Sequence, residues 1–387
     1  MEERRARLGR RHHLAPAATT VEEVATDLVG LHSTDPVTVY LSAWARAGAF
    51  KTGDLEHALY EGRSLVRMLG MRRTLFVVPL DLAAVMDEAC TKAFGPGERK
   101  RLIGMLEAQG IARNGQGARW VKRAEDKTLE ALTRRGEATA RELTKDVPEL
   151  GAKISFGEGK RWAGTMGVST RILFLLATEG RVVRARPLGT WVSGQYRWTR
   201  PDTWLGRPLP RIKHSDACAD LLRRYLRSFG PATTTDIRWW TGWTARTTTE
   251  TLAAIAALEV GLDEGTGYVL PGDTENGSES DSWVALLPGL DPTVMGWKER
   301  AWYLGEHGPA LFDRAGNAGP TVWANGRVIG AWAQTAEGEV VLQLLERVDA
   351  RTHKMLDVER RRLQEWLGDV RIKARFRTDL DRRLAGS

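Results

Sequence analysis

The sequence predicts an α+β protein: three tandem winged-helix units followed by a β-barrel-like C-terminal domain. Three observations carry that expectation. GEATAREL at 136–143 and GPATTTDI at 230–237 share the pattern Gly-x-Ala-Thr-x-x-acid-aliphatic. Each copy opens a capped helix, leads into a longer amphipathic helix and ends in a Gly-containing strand pair. The N-terminal stretch runs in the same order, helices and then a hairpin. From Trp283 on, the apolar pattern shortens to that of strands, in SWVALLPG, GPTVWANG, RVIGAWAQ and GEVVLQLL. The expected boundaries are 1–80 for the first unit, 81–210 for a helical connection and the second, 211–275 for the third, and 283–387 for the β-rich domain.

Taken in order, the chain begins with a basic entry segment. Arg4, Arg5, Arg7, Arg10 and Arg11 are followed by His12 and His13, and Arg10, Arg11, His12 and His13 are candidate DNA contacts. TTVEEVATDLVGL then places Val21, Val24, Leu28 and Leu31 on one helix face, with Thr20 and Glu23 as a capping box. Asp35-Pro36 opens a second helix whose core face is Val37, Leu41 and Trp44. Between the two lies GLHSTDP, residues 30–36, expected as a tight polar turn gripped by packed helices. Such a turn is a rigid platform for chemistry. It reads equally as a plain helix corner, with Asp35 only a cap and His32 only a satisfied imidazole.

SLVRMLGMRRTLFVVP reads as a hairpin with Gly70 at its bend and Pro79 at its end. Its arginines, Arg67, Arg72 and Arg73, either meet phosphates from this wing or cover a solvated edge strand. Residues 81–135 read as helical. Two aromatic-basic patches follow. WVSGQYRWTRPDTWLGR interleaves Trp191, Tyr196, Trp198 and Trp204 with Arg197, Arg200 and Arg207, and DIRWWTGW carries Arg238, Trp239 and Trp240. Arg197, Trp198, Arg238 and Trp239 are candidate DNA contacts by stacking and charge, although each Trp equally suits a core. PGDTENGSESDS, 271–282, reads as a linker. Beyond it Asn325-Gly326 marks a hairpin turn, DARTHKMLDVERRRLQEWLG a helix, and VRIKARF a closing strand.

The 387 residues, 42% hydrophobic and 27% charged, describe a globular chain with a substantial core. No apolar run approaches the roughly 20 residues a bilayer span needs. The N-terminus lacks the apolar stretch of a signal peptide, so a cytoplasmic protein is expected. Cys90 and Cys218 are far apart and form no ligand cluster, so neither a structural metal nor a disulfide framework is expected. The net charge of +8 and pI of about 9.6 suit a polyanionic partner, nucleic acid foremost. A basic, Arg-rich composition without any such partner fits those figures too.

The segments RHHL, GLHSTDPVTVYLSAWAR, LVRMLGMRRTLFVVP, FGPATTTDIRWWTGW, LLPGLDPTVMGWKER and GPTVWANGRVIGAWA, in this order, resemble the winged-helix DNA glycosylases related to the azinomycin-resistance enzyme of Streptomyces. The resemblance covers nearly the whole chain. It implies a C-shaped molecule of three winged helices with a C-terminal β-barrel. It also implies removal of bulky alkylated bases from double-stranded DNA, as self-resistance to a genotoxic natural product.

The family's catalytic pattern is Gln-aliphatic-Gln or Gln-aliphatic-Asp; here the matching positions read His32-Ser33-Thr34, a departure at both functional positions. The chemistry tolerates it. An alkylated purine is already cationic and leaves readily, so the protein must stabilise an oxocarbenium-like sugar and place a water. Neutral His32 accepts a hydrogen bond and, at an ordinary pKa near 6.5, suits a general base. Thr34 orients the same water, and Asp35 ranks third. No lysine is poised for lyase chemistry, and no cofactor or metal is required. The expected protein is thus a monomeric, monofunctional glycosylase of N7-alkylguanine-type adducts, nucleoid-associated when bound to DNA. A winged-helix transcription regulator and a non-catalytic damage-binding protein are the rival readings. Three tandem winged helices leave little room for a regulator's dimerisation module, and the His-x-Thr departure keeps the binding protein open.

Overall fold

Each unit is built round a short strand that feeds a capped helix. In the computed structural model, which describes residues 1–157, 159–160, 163–273 and 282–386, the first unit starts at helix Val21–Asp27. The Thr20 hydroxyl accepts the Glu23 N–H there. Gly30 follows at φ +97°, where an added Cβ would lie 2.8 Å from a Val78 methyl. Only glycine allows the chain to enter the sheet at this point. Next come β1 (Leu31–His32), helix Pro36–Trp44, and the hairpin of β2 (Leu65–Leu69) and β3 (Leu75–Pro79). The turn expected at His32 is thus a strand, pairing His32 with Phe76.

The second unit repeats this order. Helix Gly117–Arg135 precedes β4 (Glu137–Ala138), and a full Thr139–Glu142 capping box starts helix Ala140–Asp146. A small hairpin, β5 (Lys153–Phe156) and β6 (Gly164–Gly167), is inserted before helix Val168–Thr178, β7 (Val183–Pro187) and β8 (Tyr196–Thr199). In the third unit, helix His214–Phe229 leads to β9 (Ala232–Thr233). Helix Thr234–Thr241 follows under the Thr233–Asp236 box, then helix Ala245–Ala254, β10 (Leu258–Leu262) and β11 (Gly265–Val269). In all three units the short strand pairs antiparallel with the last wing strand: β1 with β3, β4 with β8, β9 with β11.

The first two units join wing to wing in one sheet, of order β1-β3-β2-β7-β8-β4. Arg67 on β2 faces Arg184 on β7 across that joint. The first wing therefore lies in the middle of a sheet, and all five residues of β2 are buried. It is neither an exposed wing nor a solvated edge.

The expected β-barrel is not formed. Strands β12 (Val284–Leu287), β13 (Thr321–Ala324), β14 (Arg327–Gln334) and β15 (Val340–Leu344) make an open sheet in that order. Helix Ala350–Leu367 packs along both outer strands, β12 and β15, where a barrel would close. VRIKARF forms no strand. The Gln334 side chain accepts the Ile372 N–H at 2.9 Å and donates to Val370 O at 3.1 Å, holding the segment by one amide in place of a ladder. The Asn325-Gly326 turn, with φ of +46° and +80°, joins β13 to β14 as a two-residue hairpin.

One apolar core unites the first unit, the third and the C-terminal sheet, and a second core lies within residues 69–198. Most of the linker read at 271–282, residues 274–281, falls outside the described residues. Among the described residues no helix is long and apolar enough to cross a membrane.

Candidate active site

β1 ends at His32 and the chain bends at Thr34 and Asp35, with the side chains of His32 and Ser33 on opposite sides. His32, 3% exposed, meets Phe76 edge to face at 5.1 Å between ring centres. It lines a pocket of about 10 Å³ with Leu28, Arg72, Trp240 and Met295, about the room one water requires. Burial, and then the Arg72 charge, holds the imidazole down at about 3. Its Nδ1 has no hydrogen-bond partner. His32 is therefore neutral near pH 7 and, with so low a pKa, far weaker as a base than its ordinary value implies.

Ser33, fully buried, points the other way. Its hydroxyl accepts from Arg67 Nε at 2.8 Å, and its N–H donates to Leu75 O at 2.7 Å. Thr34 is half-buried, and its hydroxyl accepts the Leu75 N–H at 3.1 Å. Asp35 caps helix Pro36–Trp44: Oδ1 accepts the Val37 N–H at 3.2 Å and Oδ2 the Arg375 N–H at 2.7 Å. Burial raises its pKa against these bonds. Asp35 also lines a larger pocket, of about 260 Å³, between its helix and the segment 371–385.

The two aromatic-basic patches approach the motif from its two sides. On the Ser33 side, the Arg67 guanidinium lies 4.6 Å from the Tyr196 ring centre, and Arg184 stacks on Trp198 at 4.3 Å. Trp198 itself is buried, and Arg197 pairs with Glu137 at 2.6 Å. On the His32 side, the half-buried Trp239 ring contacts two guanidiniums, Arg72 at 3.8 Å and Arg300 at 4.6 Å. Arg72 stands at φ +52° with Nε unpartnered, and burial followed by Arg300 brings its pKa to about 10. Trp240 is buried and Arg238 exposed. The core and contact readings thus divide residue by residue. Arg73 is exposed and pairs with Glu98 at 2.9 Å.

The entry segment is tied into the fold. His12 is fully buried, contacting Thr293 Oγ1 at 2.8 Å and Ser228 O at 3.2 Å. This excludes it from an outer surface. Arg46, bonded to the His12 carbonyl, makes a buried ion pair with Asp291 at 2.7 Å. Arg11 pairs with Asp273 and donates to Gly230 O at 3.0 Å, His13 contacts Asp27 at 2.7 Å, and Arg10 is half-buried. His13, Glu23 and Asp27 bring ligand-type atoms within 4.8 Å of one another, but Glu23 already accepts the Thr19 N–H.

Arg184, Arg300, Arg375 and Tyr60 also surround the motif, and none was singled out from the sequence. Arg375 lay in the misread closing strand, and the cross-strand pairing that brings in Arg184 has no local signal.

No curated protein matches the sequence. Among solved structures, the chain is similar to the Streptomyces sahachiroi DNA glycosylase AlkZ, at 19% identity over 94% of this chain and 96% of that one, with a TM-score of 0.72. That likeness speaks for the fold. The family model described as "DNA glycosylase AlkZ-like" matches residues 25–366. With most of the chain matched, this protein belongs to the AlkZ-like DNA glycosylase family, enzymes that hydrolyse N-glycosidic bonds of DNA.

Proposed function

We propose that the protein releases bulky alkylated purines, of the N7-alkylguanine type, from double-stranded DNA. It acts as a monomer in the cytoplasm, without cutting the strand, and gives self-resistance to a genotoxic natural product. The observation that carries this reading is the convergence on residues 32–34. Two aromatic-cationic groups flank the motif, and His32 lines a pocket the size of one water.

The base departs as a neutral leaving group, because alkylation has already made it cationic. Neutral His32 then accepts a hydrogen bond from the attacking water and holds it in line, without the basicity of a free imidazole. The Thr34 hydroxyl gives the water its second contact. Asp35 fixes the backbone of the motif, and its charge is the third contribution, stabilising the electron-poor sugar. Arg10, Arg73, Arg197, Arg238 and Trp239 meet the duplex from the surface, and Arg67 acts from beneath the motif.

Purified protein incubated with duplex DNA alkylated at guanine N7 by a bulky agent should release the free base, read by mass spectrometry. The strand should stay intact until alkali is added. Tight binding of the damaged duplex with no base released would favour a damage-binding protein.

A further inference from the structure

Beneath Ser33 three guanidiniums gather with no salt-bridged carboxylate among the described residues, Asp35 acting on Arg375 only at longer range. Arg67, 1% exposed, donates to Ser33 Oγ at 2.8 Å and to Tyr60 Oη at 2.6 Å. Arg184 is its cross-strand neighbour and shares the Tyr196 ring with it, at 5.9 Å against 4.6 Å. Arg375 enters from the C-terminal segment and donates to the Thr34 carbonyl at 3.2 Å.

None of the three makes a salt bridge to a carboxylate among the described residues. The acids nearby are engaged: Asp35 by two backbone N–H groups, and Glu56 by Arg186 at 3.1 Å. The Tyr196 hydroxyl is buried next to Ser33 and makes no hydrogen bond of ordinary geometry. Burial, and the charges of Arg67 and Arg375, bring the Arg184 pKa to about 10, although Tyr196 opposes the shift.

Arg67, held out of water beside half-buried Arg184 and exposed Arg375 with no described carboxylate paired to any of them, leaves room for a counter-charge from a ligand. Around them Thr34, Arg184 and Tyr196 are half-buried and Arg375 is exposed, so a ligand would come from the Arg375 side. Guanidinium forks match the paired oxygens of a phosphate.

We infer that Arg184, Arg375 and Tyr196, backed from beneath by buried Arg67 and Ser33, form a site that grips one backbone phosphate of the bound DNA beside Thr34. This rests on the reading that the segment at 32–34 works on the target nucleotide. Gripping the phosphate next to that nucleotide sets its sugar at a fixed distance from His32 and Thr34. The three arginines are positioning residues, and the contact is to one phosphate, not spread over the surface.

A scan of single methylphosphonates tests this. Each replaces one charged phosphate by a neutral group, in a duplex whose tetrahydrofuran abasic site mimics the product and fixes the register. Wild-type affinity should fall about tenfold or more at one position near the abasic site, as for loss of a charged hydrogen-bonded contact. Arg184→Gln and Arg375→Gln should bind the unmodified duplex correspondingly more weakly and lose no further affinity at that one position. They should remain as sensitive as the wild type elsewhere.

Arg375 is exposed, so its variant keeps the test valid should Arg184→Gln melt early. Variants as sensitive as the wild type at every position would overturn the inference. So would a wild type with no sensitive position, or one that does not bind the duplex. Base release from alkylated DNA is scored separately. Its absence alongside a coupled phosphate would remove the glycosylase reading and leave the site.

Discussion

At the scale of the residue, the roles proposed for His32 and Thr34 bear on rate. His32→Ala should lower single-turnover base release about 10²-fold while duplex affinity changes little. Thr34→Ala should lower it less, because solvent replaces an orienting hydroxyl more easily. Between pH 5 and 8 the rate should be flat, since an imidazole held at about 3 does not titrate there. A limb near pH 6.5 that vanishes in His32→Gln would contradict the site described. Stability should respond to pH where the rate does not. Both His32 and His12 have pKa values lowered by burial, so between pH 6.5 and about 3 the unfolded chain binds protons that the folded His32 refuses. The His32 contribution is therefore full above pH 6.5 and falls by about 1.4 kcal/mol per unit from there to about pH 3, and the His12 contribution falls in the same direction. Urea unfolding of His32→Gln at stepped pH should show a shallower acid limb. The sequence placed His32 and Thr34 together and marked them as the departure from the family pattern. It could not report the low pKa, which arises from Phe76, Arg72 and Trp240 closing over the ring from three distant segments.

At the scale of the element, what was legible was local. The caps at Thr20, Asp35, Thr139 and Thr233 all form, because a cap is decided by residues three apart. The Asn325-Gly326 turn follows from the positive φ both positions adopt. Non-local pairing was not legible. The 31–32 stretch reads as a turn until Phe76 is set opposite it, and the Arg67 strand reads as an edge until β7 joins it. VRIKARF alternates like a strand, yet Gln334 uses its amide to hold it. One cap separates structure from chemistry. Asp35→Ala removes the acceptor for two N–H groups, one buried and one partly buried, and should cost about 1–3 kcal/mol in urea unfolding. Asp35→Asn keeps an acceptor at the helix start and should lose less. A rate for Asp35→Asn equal to wild type would remove the carboxylate's charge from the mechanism and leave it a cap.

At the scale of the whole molecule, neither the repeat nor the change of period after Trp283 carries how the strands close. Two wings fuse into a single sheet, and the C-terminal strands stay open because helix Ala350–Leu367 occupies the place of closure. The basic balance belongs to this scale as well. Binding through several phosphates releases counterions, so affinity for duplex DNA should fall steeply and log-linearly with salt. An affinity independent of salt would leave the charge without a DNA role. The central claim is that this chain hydrolyses the N-glycosidic bond of an alkylated purine through residues 32–34. Its most direct measurement is a single-turnover time course of base release from N7-alkylguanine duplex, run with wild-type protein and with the His32→Ala/Thr34→Ala double variant. The account predicts release by the wild type with the sugar-phosphate strand uncut, and a loss of at least about 10²-fold in the double variant with binding retained. No release by the wild type, or release by the double variant at the wild-type rate, would contradict it.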